Sequence, residues 1–289
     1  ANALSTQGMY ELSNFYINLS KYLNPHFLSY NSLLAENYFI LKKYKKSKKV
    51  FNELSNYGSV YKWYANRQIA FILDDQKKEE EAILFLKKNY QRIEPDIYQT
   101  FDYANFLKDR KKYEDAIKLY SKILLKIKKD HKLYPQVLDR RGTAYERINK
   151  WNLSEKDLLM SLELSPNQPY VINYLAYSWV EQGKNLNEAL QMLEKANELR
   201  KKDGYITDSL GWALYKLKRY NEAKEYLRTA VTLMPSDPIV NDHFADCLWK
   251  NNKKIQARYY WSYVLKLEKT EKKLKEKIEN KLIFGLKKT

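Results

Sequence analysis

Small residues recur along this chain at two linked positions, with apolar residues one helical turn beyond them. Between Gly204 and Asp237 the sequence reads GYITDSLGWALYKLKRYNEAKEYLRTAVTLMPSD, with fixed marks at Leu210-Gly211, Tyr220, Ala223, Leu227, Ala230 and Pro235. With Gly211 as position 8 and Ala223 as position 20, the register walks in both directions. Downstream, Ala245 and Ala257 hold the two positions. Upstream they fall to Ala176 and Ala189, Gly142 and Ser154, Ala104 and Ala116, Ala70 and Ala82, and Ala35 and Ser47. Each unit predicts two helices joined by a tight turn, because a small residue at both positions lets the helices approach closely. A fixed period of this length means one supersecondary unit stacked many times. Pro25, Pro95, Pro166 and Pro235 stand between units, where a helix must stop.

The L-G pair, the later Ala, the apolar residue four on and the closing Pro resemble the tetratricopeptide repeat, or TPR. The resemblance implies an all-α, right-handed TPR superhelix (an α-solenoid) of about seven to eight helix-turn-helix repeats. It is expected to form one domain over 1–289, with a partial repeat at 1–27 and further repeats at 28–61, 63–96, 97–134, 135–168, 169–203, 204–237 and 238–271. Unit 97–134 carries extra residues after Leu125. Ser13 takes position 20 and Ile17 position 24, which puts Ala1 at position 8, inside a first helix. The expectation is therefore a piece of a longer protein. In 272–289, Leu274, Ile278 and Leu282 make one apolar stripe with a charged back, as expected of a helix covering the open end of a stack.

Charge adds a second hypothesis. A formal net charge of +17 raises the question of a polyanion partner. Lys recurs on the outer positions of nearly every helix, and the densest runs, 42–49 and 122–132, lie in turns or on second helices. That pattern reads as a solvated face, and nucleic acid is not the expected partner. The single cysteine, Cys247, excludes an intrachain disulfide and sits at a small, packed position. The longest apolar run, 170–180, contains Asn173 and Ser178 and is too short to span a bilayer. No phosphate-binding loop, GxSxG or HExxH pattern is present. His26, His131 and His243 belong to different repeats, so no shared metal site, cofactor or enzyme activity is expected.

In the TPR family, first helices line the concave face, and positions 2, 5, 9, 12 and 13 point into it. Carried onto this chain, position 5 is Asp139, Asn173, Asp208 and Asp242 in four successive units. Around this ladder stand Tyr170, Tyr177, Tyr205, Trp212, Tyr215 and Trp249, with Asp246 one turn beyond Asp242. The late groove is thus acidic and aromatic inside a basic chain. Aromatic faces offer large contact area at low entropy cost, and carboxylates accept hydrogen bonds from peptide N–H groups or basic side chains. The residues expected to bind a partner are Asp139, Asn173, Tyr177, Tyr205, Asp208, Trp212, Tyr215, Asp242, Asp246 and Trp249. Two other readings stay open: position-5 residues bridging to the neighbouring repeat, and Trp212 as filler between helices. The Lys, Arg and Asn set of the carboxylate-gripping TPR clamp is not found at these positions.

The stretches 173–190, 203–223 and 237–261 resemble a group of bacterial, notably alphaproteobacterial, TPR proteins that usually carry an export signal. Lys201 departs from it where the repeat expects Pro, as do Ser154 and Ser47 where it expects Ala. The resemblance implies a binding scaffold and a periplasmic or cell-envelope location, with the cytoplasm as the alternative. The leading expectation is a non-catalytic scaffold holding an extended segment of a protein partner in the late groove. The alternative is a polyanion- or membrane-surface-binding protein acting through its lysines.

Overall fold

The period of small residues becomes a period of helix pairs. The computed structural model describes residues 1–25 and 27–286, and among them are seventeen α-helices and no strand. The chain divides into two compact units, Ala1–Ile127 and Lys128–Thr289. The division falls in the connection where the sequence carries its extra residues after Leu125. Unit 1 holds α1 (Asn2–Thr6), α2 (Tyr10–Leu23), α3 (Ser29–Ile40), α4 (Tyr44–Leu54), α5 (Ser59–Asp75), α6 (Glu79–Gln91), α7 (Ile97–Asp109) and α8 (Tyr113–Leu124). Unit 2 holds α9 (Tyr134–Arg147), α10 (Trp151–Leu164), α11 (Pro169–Gln182), α12 (Leu186–Leu199), α13 (Gly204–Lys216), α14 (Tyr220–Leu233), α15 (Pro238–Lys250), α16 (Lys254–Lys266) and α17 (Lys272–Phe284). From α3 to α16, odd-numbered helices are the first helix of a repeat and even-numbered ones the second.

The register explains the packing. Ala35, Ala70, Ala104, Ala176 and Ala245 at position 8 are fully buried, as are Ala82, Ala116, Ala189, Ala223 and Ala257 at position 20. At Gly211 an added Cβ would stand 2.7 Å from Leu227 Cγ, so the α13–α14 crossing has no room even for a methyl group. Serine at position 20 keeps the close approach: Ser47 Oγ donates to the Ala35 carbonyl at 2.8 Å, and Ser13 Oγ to the Ala1 carbonyl at 2.9 Å. One turn on, position 24 drives a large side chain into each pair: Phe51, Leu86, Tyr120, Leu158, Leu193, Leu227 and Trp261 are all buried. Each such burial contributes roughly 1.5–3 kcal/mol.

One device repeats at every turn inside a pair. The residue seven after position 8 adopts the left-handed conformation in Lys42, Lys77, Lys111, Asn149, Gly183, Lys218 and Asn252. Its N–H and the next one turn back onto the last carbonyls of the first helix, as in Lys218 N to Tyr215 O and Arg219 N to Leu214 O, both 2.9 Å. This pair of hydrogen bonds closes a helix end and reverses the chain. Four of these positions carry Lys, where a left-handed Cβ costs energy.

At the far end, α17 packs on α16, with Ile278 fully buried and Leu274 and Leu282 against the same core, as the stripe predicts. The last three residues of the expected cap, 287–289, lie outside the described residues.

Candidate functional site

The structure shows what the position-5 side chain of each first helix in unit 2 meets. Asp208 on α13 is buried, and its Oδ2 lies 2.9 Å from Nδ1 of His243 on α15. Asp242 and Asp246 on α15 hold Lys281 of α17 between them, with four Nζ–O distances of 2.6–2.9 Å. Trp261 Nε1 donates to the same Asp246 at 3.0 Å. Asn173 on α11 is half-buried, and its Oδ1 has no partner. Asp139 on α9 is half-buried beside Arg140, with Nε at 3.7 Å.

The aromatic residues divide the same way. Trp212 is only 8% exposed and lies in a stack, 3.9 Å from the His243 ring and 4.6 Å from Tyr215, while its Nε1 donates to Glu181 at 2.7 Å. Trp249 packs against Trp261 at 5.3 Å, and Gly285 lies so close over its ring that a Cβ there would stand 2.1 Å from it. Tyr177 and Tyr215 are half-buried. Tyr205 is 59% exposed and Tyr170 51% exposed, on neighbouring first helices.

The electrostatics follow from this crowding. Burial alone lowers the His243 pKa, but Asp208, with Asp242 and Asp246 behind it, outweighs burial and raises it above the ordinary histidine range. Burial and then the neighbouring Asp242 charge push the Asp246 carboxyl up to about 6, against the pull of Lys281. Burial of Lys281 favours its neutral form, yet the two carboxylates win and raise its pKa. Tyr177 and Tyr215 are held neutral, first by burial and then by nearby carboxylates. Cys247 is buried, its thiol pushed up to about 12 mainly by burial, and packs as its position predicts.

These findings correct the sequence expectation of open acceptors. Asp208, Asp242, Asp246 and Trp212 stand where the register places them, but each is engaged by a side chain of its own fold. The bridging and filler readings describe their geometry. The exposed residues of the set are Tyr205 and, in part, Asp139, Asn173, Tyr177, Tyr215 and Trp249. Sequence reasoning missed Lys281, although it lies three residues after Ile278 and so flanks the buried stripe. It also missed the cavity of about 360 Å³ between α9 and α11, whose lining includes Glu146, Trp151, Tyr174, Tyr177 and Glu181. Among the described residues no group of three or more His, Cys, Asp or Glu is placed to hold a metal ion. His131 and His243 lie in separate repeats, and His26 is outside the described residues. No described helix is long and apolar enough to cross a membrane.

Comparisons with known proteins agree with the register. Residues 208–237 match the tetratricopeptide repeat family model. A TPR repeat-containing protein of Pseudomonas aeruginosa is 31% identical over 88 residues, which are 29% of this chain and 15% of that protein. A chain of the APC/C hetero-tetramer Cut9-Hcn1 aligns with a TM-score of 0.67 at 16% identity, covering 93% of this chain and 52% of that one. A tetratricopeptide repeat protein from Parabacteroides merdae aligns with a TM-score of 0.57 at 15% identity, covering 75% of this chain and 85% of its own. The chain therefore spans about half the length of the Cut9-Hcn1 chain and a small part of the Pseudomonas protein. At these identities the solved structures show the fold alone. Residues 208–237 thus match one tetratricopeptide repeat, and the helix-pair register and the solved structures give the described residues the fold of a TPR superhelix.

Proposed function

We propose that the chain is a non-catalytic scaffold that holds an extended segment of a protein partner along the first helices of unit 2. The observation that carries this reading is the row of incompletely buried groups at groove positions. Tyr205 stands open on α13 and Tyr170 is half exposed on α11, its hydroxyl donating to Asp203 at 3.0 Å, with Asn173 and its unpartnered oxygen and Tyr177 beside them. Aromatic rings of this kind supply contact area, and an amide oxygen supplies an acceptor for a peptide N–H. The buried network of Asp208, His243, Trp212, Asp242 and Lys281 then acts as the frame that fixes the helix spacing. Contact residues reduce to Tyr170, Asn173, Tyr177 and Tyr205, with Asp139 beside them.

A photo-crosslinking residue at position 177 should capture the partner, and Tyr170→Ser with Tyr205→Ser, made in that same crosslinking chain, should abolish capture while helix content is unchanged. Capture surviving that double change would sink the reading. The resemblance to exported bacterial TPR proteins supports a cell-envelope location, which fractionation of cells expressing the full-length protein would test.

A further inference from the structure

Two grooves formed by a second helix, the next first helix and the next second helix can be laid position on position, by matching Ala82 to Ala223, Ala104 to Ala245 and Ala116 to Ala257. The groove in unit 1, of about 400 Å³, lies among α6, α7 and α8 and is floored by Tyr103 and Leu107. Two of its three lining cations are paired within it, Lys112 with Glu80 at 3.2 Å and Lys118 with Asp115 at 3.3 Å, beside Lys87. The groove in unit 2, of about 610 Å³, lies among α14, α15 and α16 and is floored by Phe244 and Leu248. There Asn221 stands in place of Glu80, Gln256 in place of Asp115, Ile255 in place of Glu114 and Tyr259 in place of Lys118.

These replacements change the chemistry of the place. The cations Lys224, Arg228 and Lys253 line the unit 2 groove, and no carboxylate does. Glu225 stands outside the lining, near Lys224 at 3.5 Å and Arg228 at 3.2 Å, so one acid is shared by two of the groove's three cations. Ile255 is 87% exposed and Tyr259 69% exposed, one turn apart on α16. The floor is aromatic, with Phe244 set edge-on to Tyr260 at 4.9 Å. A solvated lysine face, the ordinary reading of this chain's charge, does not combine such an apolar floor with two open apolar residues and the loss of the matching acids.

The geometry points to a second docking surface on the second-helix side of α14–α16, whose occupant is an acidic protein segment that inserts a large apolar side chain between Ile255, Tyr259 and the Phe244–Leu248 floor. Its carboxylates would meet Lys224, Arg228 and Lys253, and this complementarity fixes the sign of the partner. A bilayer fits less well: the floor is recessed between two helices, and two apolar side chains are a narrow face for membrane insertion. This surface is independent of the first-helix face proposed above.

The test selects short random peptides displayed on phage against the full chain. It then measures synthetic versions of the selected peptides, with vesicles of phosphatidylcholine and phosphatidylserine in parallel. Expected are peptides with Asp or Glu around Leu, Phe or Trp, bound less tightly at high salt. Their affinity should fall about tenfold or more on Ile255→Ser with Tyr259→Ser, and also on Lys224→Glu with Arg228→Glu. Circular dichroism should show both variants folded, since Ile255, Tyr259 and Arg228 are exposed and Lys224 is half-buried at the groove. Peptides indifferent to these changes but lost on Tyr170→Ser with Tyr205→Ser would overturn the inference and leave the first-helix reading standing. Vesicle binding without acidic peptides, or no selected peptides at all, would equally overturn it.

Discussion

Charged bridges join first helices in unit 1 and join α15 to α17 in unit 2, and the Arg67 bridge of unit 1 is shallower than the Lys281 bridge of unit 2. In unit 1, Arg67 on α5 meets Asp102 on α7 at 2.5 Å, with the side chains 27% and 31% exposed. In unit 2, Lys281 meets Asp242 and Asp246 with the three side chains 18%, 11% and 9% exposed. The order of sign also differs between these two bridges, although buried Arg110 at the end of α7 reaches back to Asp74 on α5 at 2.6 Å in the unit 2 order. In the Arg67 pair the cation sits on the earlier helix, whereas α13 and α15 carry carboxylates that receive a cation from the helix after. The same register thus supports a wet bridge that contributes little and a dry one whose halves depend on each other.

Removing one half of each bridge should separate the two cases most strongly. Lys281→Met strands two buried carboxylates and should cost roughly 3–5 kcal/mol, whereas Arg67→Met should cost about 1 kcal/mol or less, read by urea unfolding. Equal costs would erase the distinction. Overpacking should cost less: Ala223→Leu against the α13–α14 contact should destabilise by roughly 1–3 kcal/mol, and an unchanged midpoint would mean the register is misplaced.

The pH response of unit 2 should be smaller again. His243 has its folded pKa raised, so its contribution is complete below the unfolded value of about 6.5 and is lost as pH rises through the folded value. Asp246, at about 6 when folded against about 3.9 unfolded, has the same sign, because the native state holds that proton more tightly. The difference in thermal midpoint between the native chain and His243→Gln should therefore shrink as pH rises from about 5 to about 8. A difference that grows with pH would contradict the buried network. The smallest effect should not distinguish the units at all. Lys77→Gly and Lys218→Gly should each stabilise by roughly 0.5–1 kcal/mol in thermal unfolding, relieving the left-handed strain after allowing for glycine's entropy.

The fold was legible because positions 8, 20 and 24 are buried in nearly every repeat, and burial constrains residue size in a way a single sequence displays. The left-handed turns were not legible at Lys42, Lys77, Lys111 and Lys218, since lysine carries no local preference for that conformation. For the candidate site, the register found Asp208, Asp242 and Trp212 but not their partners. His243 and Lys281 lie 35 and 39 residues after the carboxylates they meet, and no local periodicity links residues so far apart. Lys281 also read as part of the charged back of a cap, because a long side chain can reach a buried acid from the edge of an apolar stripe.

The central claim is that the late acidic residues are closed upon their own fold, leaving recognition to the open residues around them. A titration of the His243 imidazole by NMR tests it directly, in a chain with three histidines. The account predicts a pKa above the ordinary histidine range in the native chain, falling below it in Asp208→Asn, where burial acts with its nearest carboxylate gone. An ordinary pKa that does not respond to Asp208→Asn would show that the carboxylate is not engaged internally and would contradict the account.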